Sequence, residues 1–142
     1  MKYCGSVSMV VKKVDMGQQT PPRVLIVEDN PLIAMGLEDI LEGFGCQVVG
    51  PISTLKETLE RLEEEQIDVA VVDYLLEDGN SGPIAETLNE RSIPFALCTG
   101  AGEGEISSLF PHTPILSKPY NPDDVSLVVN SLIASRLAGT LK

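Results

Sequence analysis

The stretch Arg23-Val24-Leu25-Ile26-Val27-Glu28-Asp29-Asn30-Pro31-Leu32 decides the fold. Four apolar residues, Val24 to Val27, run without alternation and stop at two carboxylates, Glu28 and Asp29. An unbroken short apolar run suits a strand buried on both faces, as in a parallel sheet. Asn30 is a good helix N-cap, and Pro31 fits the first helical position. The stretch therefore predicts strand, acidic turn, helix. Ligands of open α/β sheets gather at the carboxyl ends of the strands, and the acidic pair falls at such an end.

Toward the N-terminus, residues 1–22 show no period, and the run Gly17 to Pro22 predicts a flexible extension. A strand-like piece over Val7 to Val14 is the alternative there. Toward the C-terminus, Ile33, Leu37, Ile40, Leu41 and Phe44 follow helical spacing, with Gly43 and Gly45 as the stop. Val48 and Val49 predict a short strand closed by Gly50 and Pro51. Ser53 is the expected cap of a second helix carrying Leu55, Leu59 and Leu62, with Glu63, Glu64 and Glu65 as its solvated, fraying end. Ile67 to Val72 is a second apolar run and ends at Asp73. Asp73 to Gly82 reads as a loop, and Pro83 opens a helix through Ile84, Ala85 and Leu88.

Pro94 to Cys98 is the fourth strand, ending at Thr99, and Glu103 to Phe110 is the expected fourth helix. Pro114 to Leu116 is the last strand, followed by Ser117, Lys118 and Pro119. Asn121 and Pro122 start a final helix with the stripe Val125, Val128, Val129, Leu132, Ile133 and Leu137. Five strands alternating with five helices make an α/β domain over residues 23–139, a doubly wound five-stranded parallel sheet, with 140–142 as a tail.

At 142 residues the chain is long enough for one domain with a real core. A net charge of -11 without a Lys/Arg cluster excludes nucleic acid and anionic lipid as direct partners. No apolar run approaches the roughly 20 residues that span a bilayer, and no signal-peptide pattern precedes the domain. Cys4, Cys46 and Cys98 are scattered and odd in number, which fits neither a disulfide framework nor a zinc site. A reducing cytoplasm follows, with Cys98 as a small core residue inside its strand.

The strand ends collect Glu28 and Asp29, then Asp73, then Thr99, then Lys118. Each alone is an ordinary surface residue; together they share one sheet edge. Two unit charges about 4 Å apart repel by roughly 4 kcal/mol at an effective dielectric near 20. Three gathered carboxylates therefore need a cation or must bind protons. All-oxygen donors suit Mg²⁺, which keeps waters and takes one or two carboxylates. A carboxylate beside it can attack phosphorus and become an aspartyl phosphate. A lysine and a hydroxyl facing it can hold the phosphoryl oxygens.

This constellation resembles the receiver domain of two-component response regulators, as in the bacterial chemotaxis regulator. The matching motifs are Val-Leu-Ile-Val-Glu28-Asp29-Asn-Pro, Val-Val-Asp73-Tyr-Leu-Leu, Gly79-Asn-Ser-Gly82, Cys-Thr99-Gly100 and Lys118-Pro119-Tyr, spread over Arg23 to Leu137. The resemblance implies a flavodoxin-like (βα)5 fold with Asp73 as phosphoacceptor. It implies Mg²⁺ held by Glu28, Asp29, Asp73 and the Leu75 carbonyl. Thr99 would follow the phosphoryl group, Lys118 would pair with it, and the Lys118-Pro119 bond would be cis. The implied partners are a sensor histidine kinase or histidine phosphotransfer protein and a downstream protein target. Pro94-Phe-Ala-Leu-Cys-Thr-Gly100 also resembles Pro-Phe-x-Phe-Ala-Thr-Gly-Tyr, carried by single-domain regulators of alphaproteobacterial stress signalling.

Three departures from the family pattern stand out. Ile115 occupies the usual aromatic switch position, three before the lysine. The stretch from Gly100 to Pro114 is short. Leu75 and Ala101 occupy the two positions that tune dephosphorylation, and neither can orient a water. His112 lies between Pro111 and Thr113 and reads as a loop residue, not a phosphorelay histidine. Tyr120 reads as a surface residue open to partners. With the chain ending soon after the fifth helix, the expectation is a stand-alone switch, without a DNA-binding domain in cis and without independent enzymatic turnover. Dimerisation through the last helix is left open. A phosphate-shuttling relay intermediate and an unphosphorylated binding module are the alternatives. A small aspartate-nucleophile phosphatase would need a second acid where Leu75 stands.

Overall fold

The strand β1, Arg23–Val27, lies inside the sheet, one strand from its edge, with both of its faces covered. In the computed structural model, which describes residues 21–100 and 108–141, β1 is flanked by β2 (Gln47–Ile52) and β3 (Val69–Asp73). Two further strands follow in the chain as a small hairpin, β4 (Leu75–Leu76) and β5 (Gly79–Asn80). The main sheet is completed by β6 (Phe95–Thr99) and β7 (Ile115–Ser117). Its order is β2-β1-β3-β6-β7, and every neighbouring pair is parallel.

Four helices cover it among the described residues: α1 (Pro31–Gly43), α2 (Leu55–Glu64), α3 (Gly82–Glu90) and α4 (Pro122–Leu141). Val24 and Ile26 pack with Leu37 and Leu41 of α1 and with Val125, Val129, Leu132 and Ile133 of α4. Leu25 and Val27 point the other way, to Leu62 of α2 and Ile84, Ala85 and Leu88 of α3. Two-sided burial is the reason β1 has no polar alternation. The expected extension over 1–22 falls almost wholly outside the described residues, and so does most of the helix expected at Glu103 to Phe110.

α1 begins as its sequence predicts. The Asn30 side chain accepts from Leu32 N at 3.0 Å and Ile33 N at 3.2 Å, with Pro31 in the first turn. Elsewhere the structure departs from the sequence reading. β2 does not close at Gly50-Pro51. It kinks there, with a register shift, and resumes at Ile52 opposite Val27. Gly50 has φ +101, a left-handed value, and an added Cβ would lie 2.8 Å from Ile26 O and 2.9 Å from Ile52 N. Both contacts are backbone, so neither can move aside. Gly50→Ala is expected to cost about 2 kcal/mol or more, read as a lower urea midpoint with an unchanged slope.

The cap of α2 is Thr54, not Ser53; its hydroxyl accepts from Glu57 N at 3.1 Å. Glu65 is not part of a solvated end. It accepts from Arg61 Nε and Arg23 Nη2, both at 2.8 Å, which ties the end of α2 to the start of β1. On α4, Leu137 is exposed and does not extend the buried stripe. Asp73 to Gly82 is not an irregular loop but holds the β4–β5 hairpin.

Candidate functional site

The chain leaves β1 toward β2 on one side and reaches β3 on the other, so a crevice opens above the carboxyl ends of β1 and β3. Val27 lies opposite Val72, so the next residues, Glu28 and Asp73, arrive together at that edge. Both are buried, at 2% and 6% exposure, and Asp29 is half-buried beside them. One carboxylate oxygen from each of Glu28, Asp29 and Asp73 lies within 4.8 Å of the others.

Lys118 follows β7, and its backbone N–H donates to Thr99 O at 2.9 Å. Its ammonium reaches the cluster, 3.0 Å from Asp73 Oδ2 and 3.0 Å from Glu28 Oε1. The Lys118-Pro119 peptide is cis. Thr99 ends β6, buried at the same edge. Leu75 opens the hairpin two residues past Asp73, with its side chain exposed. The sequence-predicted site residues thus gather at one edge of the sheet.

The electrostatics of the cluster are those of an excess of acid. Burial pushes the Asp73 carboxyl up to about 6; the hydrogen bond from Lys118 opposes this, and the Glu28 charge adds to the rise. Burial alone would lower the Lys118 pKa, but the hydrogen bonds to Glu28 and Asp73 outweigh it and hold it above the ordinary lysine value. Glu28 Oε1 is buried and near Lys118 Nζ, yet it has no aligned hydrogen-bond donor. Three clustered carboxylates, two of them buried, with a single lysine ammonium between them are a donor set that fits a hard divalent cation.

Tyr120 corrects one expectation. Its ring packs against the core, and its hydroxyl hydrogen-bonds the buried thiol of Cys98. Burial pushes that thiol up to about 12, so Cys98 is an inert core residue, as its strand position predicts. His112 sits exposed in a turn.

Two residues at this edge carry structure that the sequence reading missed. Ser81 stands before α3, where a helix cap is expected, but makes no cap bond. Its hydroxyl donates instead to Asp73 O at 2.5 Å, and its backbone N–H donates to Tyr74 O at 2.8 Å. Asp78 reaches α2 from the hairpin. A Ser or Asp among turn residues signals that a backbone donor or acceptor is near, but not which one.

The sequence model of the response regulator receiver domain matches residues 24–130. The chain belongs to the response regulator receiver domain family. Receivers of this family work in two-component signalling, with phosphorylation and Mg²⁺ as family features. Among solved structures, this receiver is similar to the BeF3-activated conformation of SdrG from Pseudomonas melonis Fr1, with 40% identity and a TM-score of 0.70. That match covers 82% of this chain and 99% of SdrG. The response regulator PhyR from Brucella abortus is 30% identical with a TM-score of 0.76, over 94% of this chain and 56% of that one. The phyllosphere-induced regulator PhyR of Methylorubrum extorquens is 32% identical over 114 residues, 78% of this chain. The receiver spans only 43% of the length of that regulator.

Proposed function

We propose that this receiver accepts a phosphoryl group on Asp73 and thereby switches a protein-binding surface. The observation that carries the reading is the buried cluster of Glu28, Asp29 and Asp73 bridged by Lys118 at the carboxyl edge of the sheet. The donor is a sensor histidine kinase or a histidine phosphotransfer protein. An Asp73 carboxylate oxygen attacks phosphorus, the bond from phosphorus to the donor imidazole nitrogen breaks, and that nitrogen keeps the electron pair.

Ser81 holds the Asp73 carbonyl and so fixes the strand end that carries the nucleophile. Lys118 already touches Asp73 and needs little movement to pair with a phosphoryl oxygen. Thr99 stands at the same edge to meet another. Glu28, Asp29, Asp73 and the Leu75 carbonyl would hold Mg²⁺. When bound, the ion supplies positive charge to the phosphoryl oxygens as they transfer.

The modification adds about -1.5 to -2 charge where an acidic cluster already stands. Rearrangement of Thr99, Lys118 and the surface around β7 and α4 would then be read by a protein in trans. A cytoplasmic setting agrees with Cys46 and Cys98 being buried free thiols. Among the described residues no helix is long and apolar enough to cross a membrane.

Intact mass after acetyl phosphate and Mg²⁺ tests the reading: a phosphoryl adduct is expected on the parent chain and none on Asp73→Asn. No adduct on the parent would favour a receiver-like module that binds unphosphorylated. Back-transfer of the phosphoryl group to a phosphotransfer protein would mark a relay intermediate. BeF3⁻, a phosphoryl mimic that activates SdrG, offers a second probe of the same site.

The adduct is expected to be long-lived. Leu75, two residues past the acceptor, presents an exposed apolar side chain that cannot orient an attacking water. Decay over minutes or longer in Mg²⁺ is the expected course, and loss within seconds without a phosphatase would contradict it.

A further inference from the structure

Asp78 occupies a position that helix capping alone does not require. α2 already has a cap in Thr54, which accepts from Glu57 N. The Asp78 carboxylate accepts from the two amides before it, Leu55 N at 2.8 Å and Lys56 N at 3.3 Å, from 23 residues further along the chain. These hydrogen bonds, the one from Leu55 foremost, hold its carboxyl below the usual carboxylate range.

The bond joins two elements. Asp78 lies in the two-residue turn of the β4–β5 hairpin. The next residue, Gly79, has φ +144, and an added Cβ there would lie 3.6 Å from Leu55 Cδ2. Leu55 in turn packs on the core. At its other end the hairpin is fastened to β3 by Ser81, through Asp73 O and Tyr74 O. A hairpin with two residues in each strand has no stability of its own. It keeps its place because Leu76 is buried in the core and both ends are tied, one by Ser81 and one by Asp78.

We propose that Asp78 is a positioning residue: it latches the hairpin to the start of α2 and so holds the Leu75 backbone beside Asp73, where its carbonyl completes the divalent-cation site. This rests on the proposed function, because the Leu75 carbonyl is a ligand only in that reading. Asp78 acts through the hairpin and does not reach the cation. Its carboxylate at a helix N-terminus adds a favourable dipole contact to the two hydrogen bonds.

The test is Mg²⁺ titration calorimetry on the full chain, with amide hydrogen exchange on the same samples. The samples are the parent, Asp78→Ala, Asp78→Asn and Thr54→Ala. Asp78→Ala is expected to weaken Mg²⁺ binding about tenfold, as loss of a group that orients a metal ligand does, and to speed exchange across residues 75–80. Asp78→Asn keeps an acceptor and is expected to restore most of the affinity. Thr54→Ala damages the same helix end from within and is expected to lower the melting midpoint while leaving Mg²⁺ affinity unchanged. Parent-like affinity in Asp78→Ala would overturn the latch, and so would equal weakening in Thr54→Ala, since helix stability would then be the cause. A parent chain that takes up no Mg²⁺ would instead bring down the cation reading itself, and the latch with it.

Discussion

In the presence of a chelator at pH 7.5, Asp73→Asn is expected to be more stable than the parent by about 3 kcal/mol, with the gap closing toward pH 4. The cause is the position of Asp73 at the buried end of β3, beside Glu28 and with one lysine between them. Burial first, and the Glu28 charge after it, push the folded-state pKa to about 6 against an ordinary 3.8, even with Lys118 pulling it down. The folded chain therefore binds this proton more tightly than the unfolded chain does. Its contribution to stability is complete below about pH 4 and is lost as pH rises through 6. A gap from 3.8 to about 6 corresponds to about 3 kcal/mol. Asn keeps the shape and never ionises, so it escapes the loss.

Mg²⁺ should narrow the difference by stabilising the parent, by about 2.7 kcal/mol at a hundred times its Kd. Urea unfolding of both chains across pH 4 to 8, with chelator and with Mg²⁺, measures all of this. A difference independent of pH would mean that the carboxylate is not strained by its site. The same variant is expected to lose the phosphoryl adduct, so a chain that is both more stable and inactive would place the instability in the functional group itself.

Such a site is legible in sequence for a definite reason. Residues that follow consecutive parallel strands must arrive at one edge, so Glu28, Asp29, Asp73, Thr99 and Lys118 could be grouped from chain order alone. β1 was equally legible, because burial on both faces leaves no room for polar alternation. What failed was whatever depended on a distant partner. Gly50-Pro51 looks like a strand end locally, but pairing of Ile52 with Val27 carries β2 past it. Ser53 and Thr54 are equivalent caps until the backbone turns one of them toward Glu57 N. Glu65 is one of three acids in a row; Arg61 one turn back pairs with it, but the tie to Arg23, 42 residues away, has no local signal. Ser81 and Asp78 bond backbone groups, which carry no sequence signature. Tyr120 is partly buried because its ring packs on the core and its hydroxyl meets Cys98, which no local pattern records.

Lys118→Met is expected to act in the opposite direction, with a cost of about 3 kcal/mol at pH 7.5 in chelator. The lysine side chain is 17% exposed and supplies the one cation within ion-pair distance of Glu28 and Asp73 among the described residues. Removing one partner of a buried charge group costs more than the group contributes as a whole, because the remaining charges stay desolvated. Without Lys118, Asp73 is expected to titrate still higher, so the cost should shrink as pH falls and the carboxylate takes a proton.

Mg²⁺ should recover much of the loss, since the variant leaves all three carboxylates in place. The double variant Asp73→Asn with Lys118→Met decides whether these effects share one cause. If the lysine stabilises the fold by balancing Asp73, its removal from the Asn background should cost much less, leaving a coupling of 1 kcal/mol or more. Additive losses would mean that Lys118 serves the fold through the packing of its stem instead. In that case the charge balance inferred for the crevice would have to be abandoned, even if Asp73 accepts the phosphoryl group.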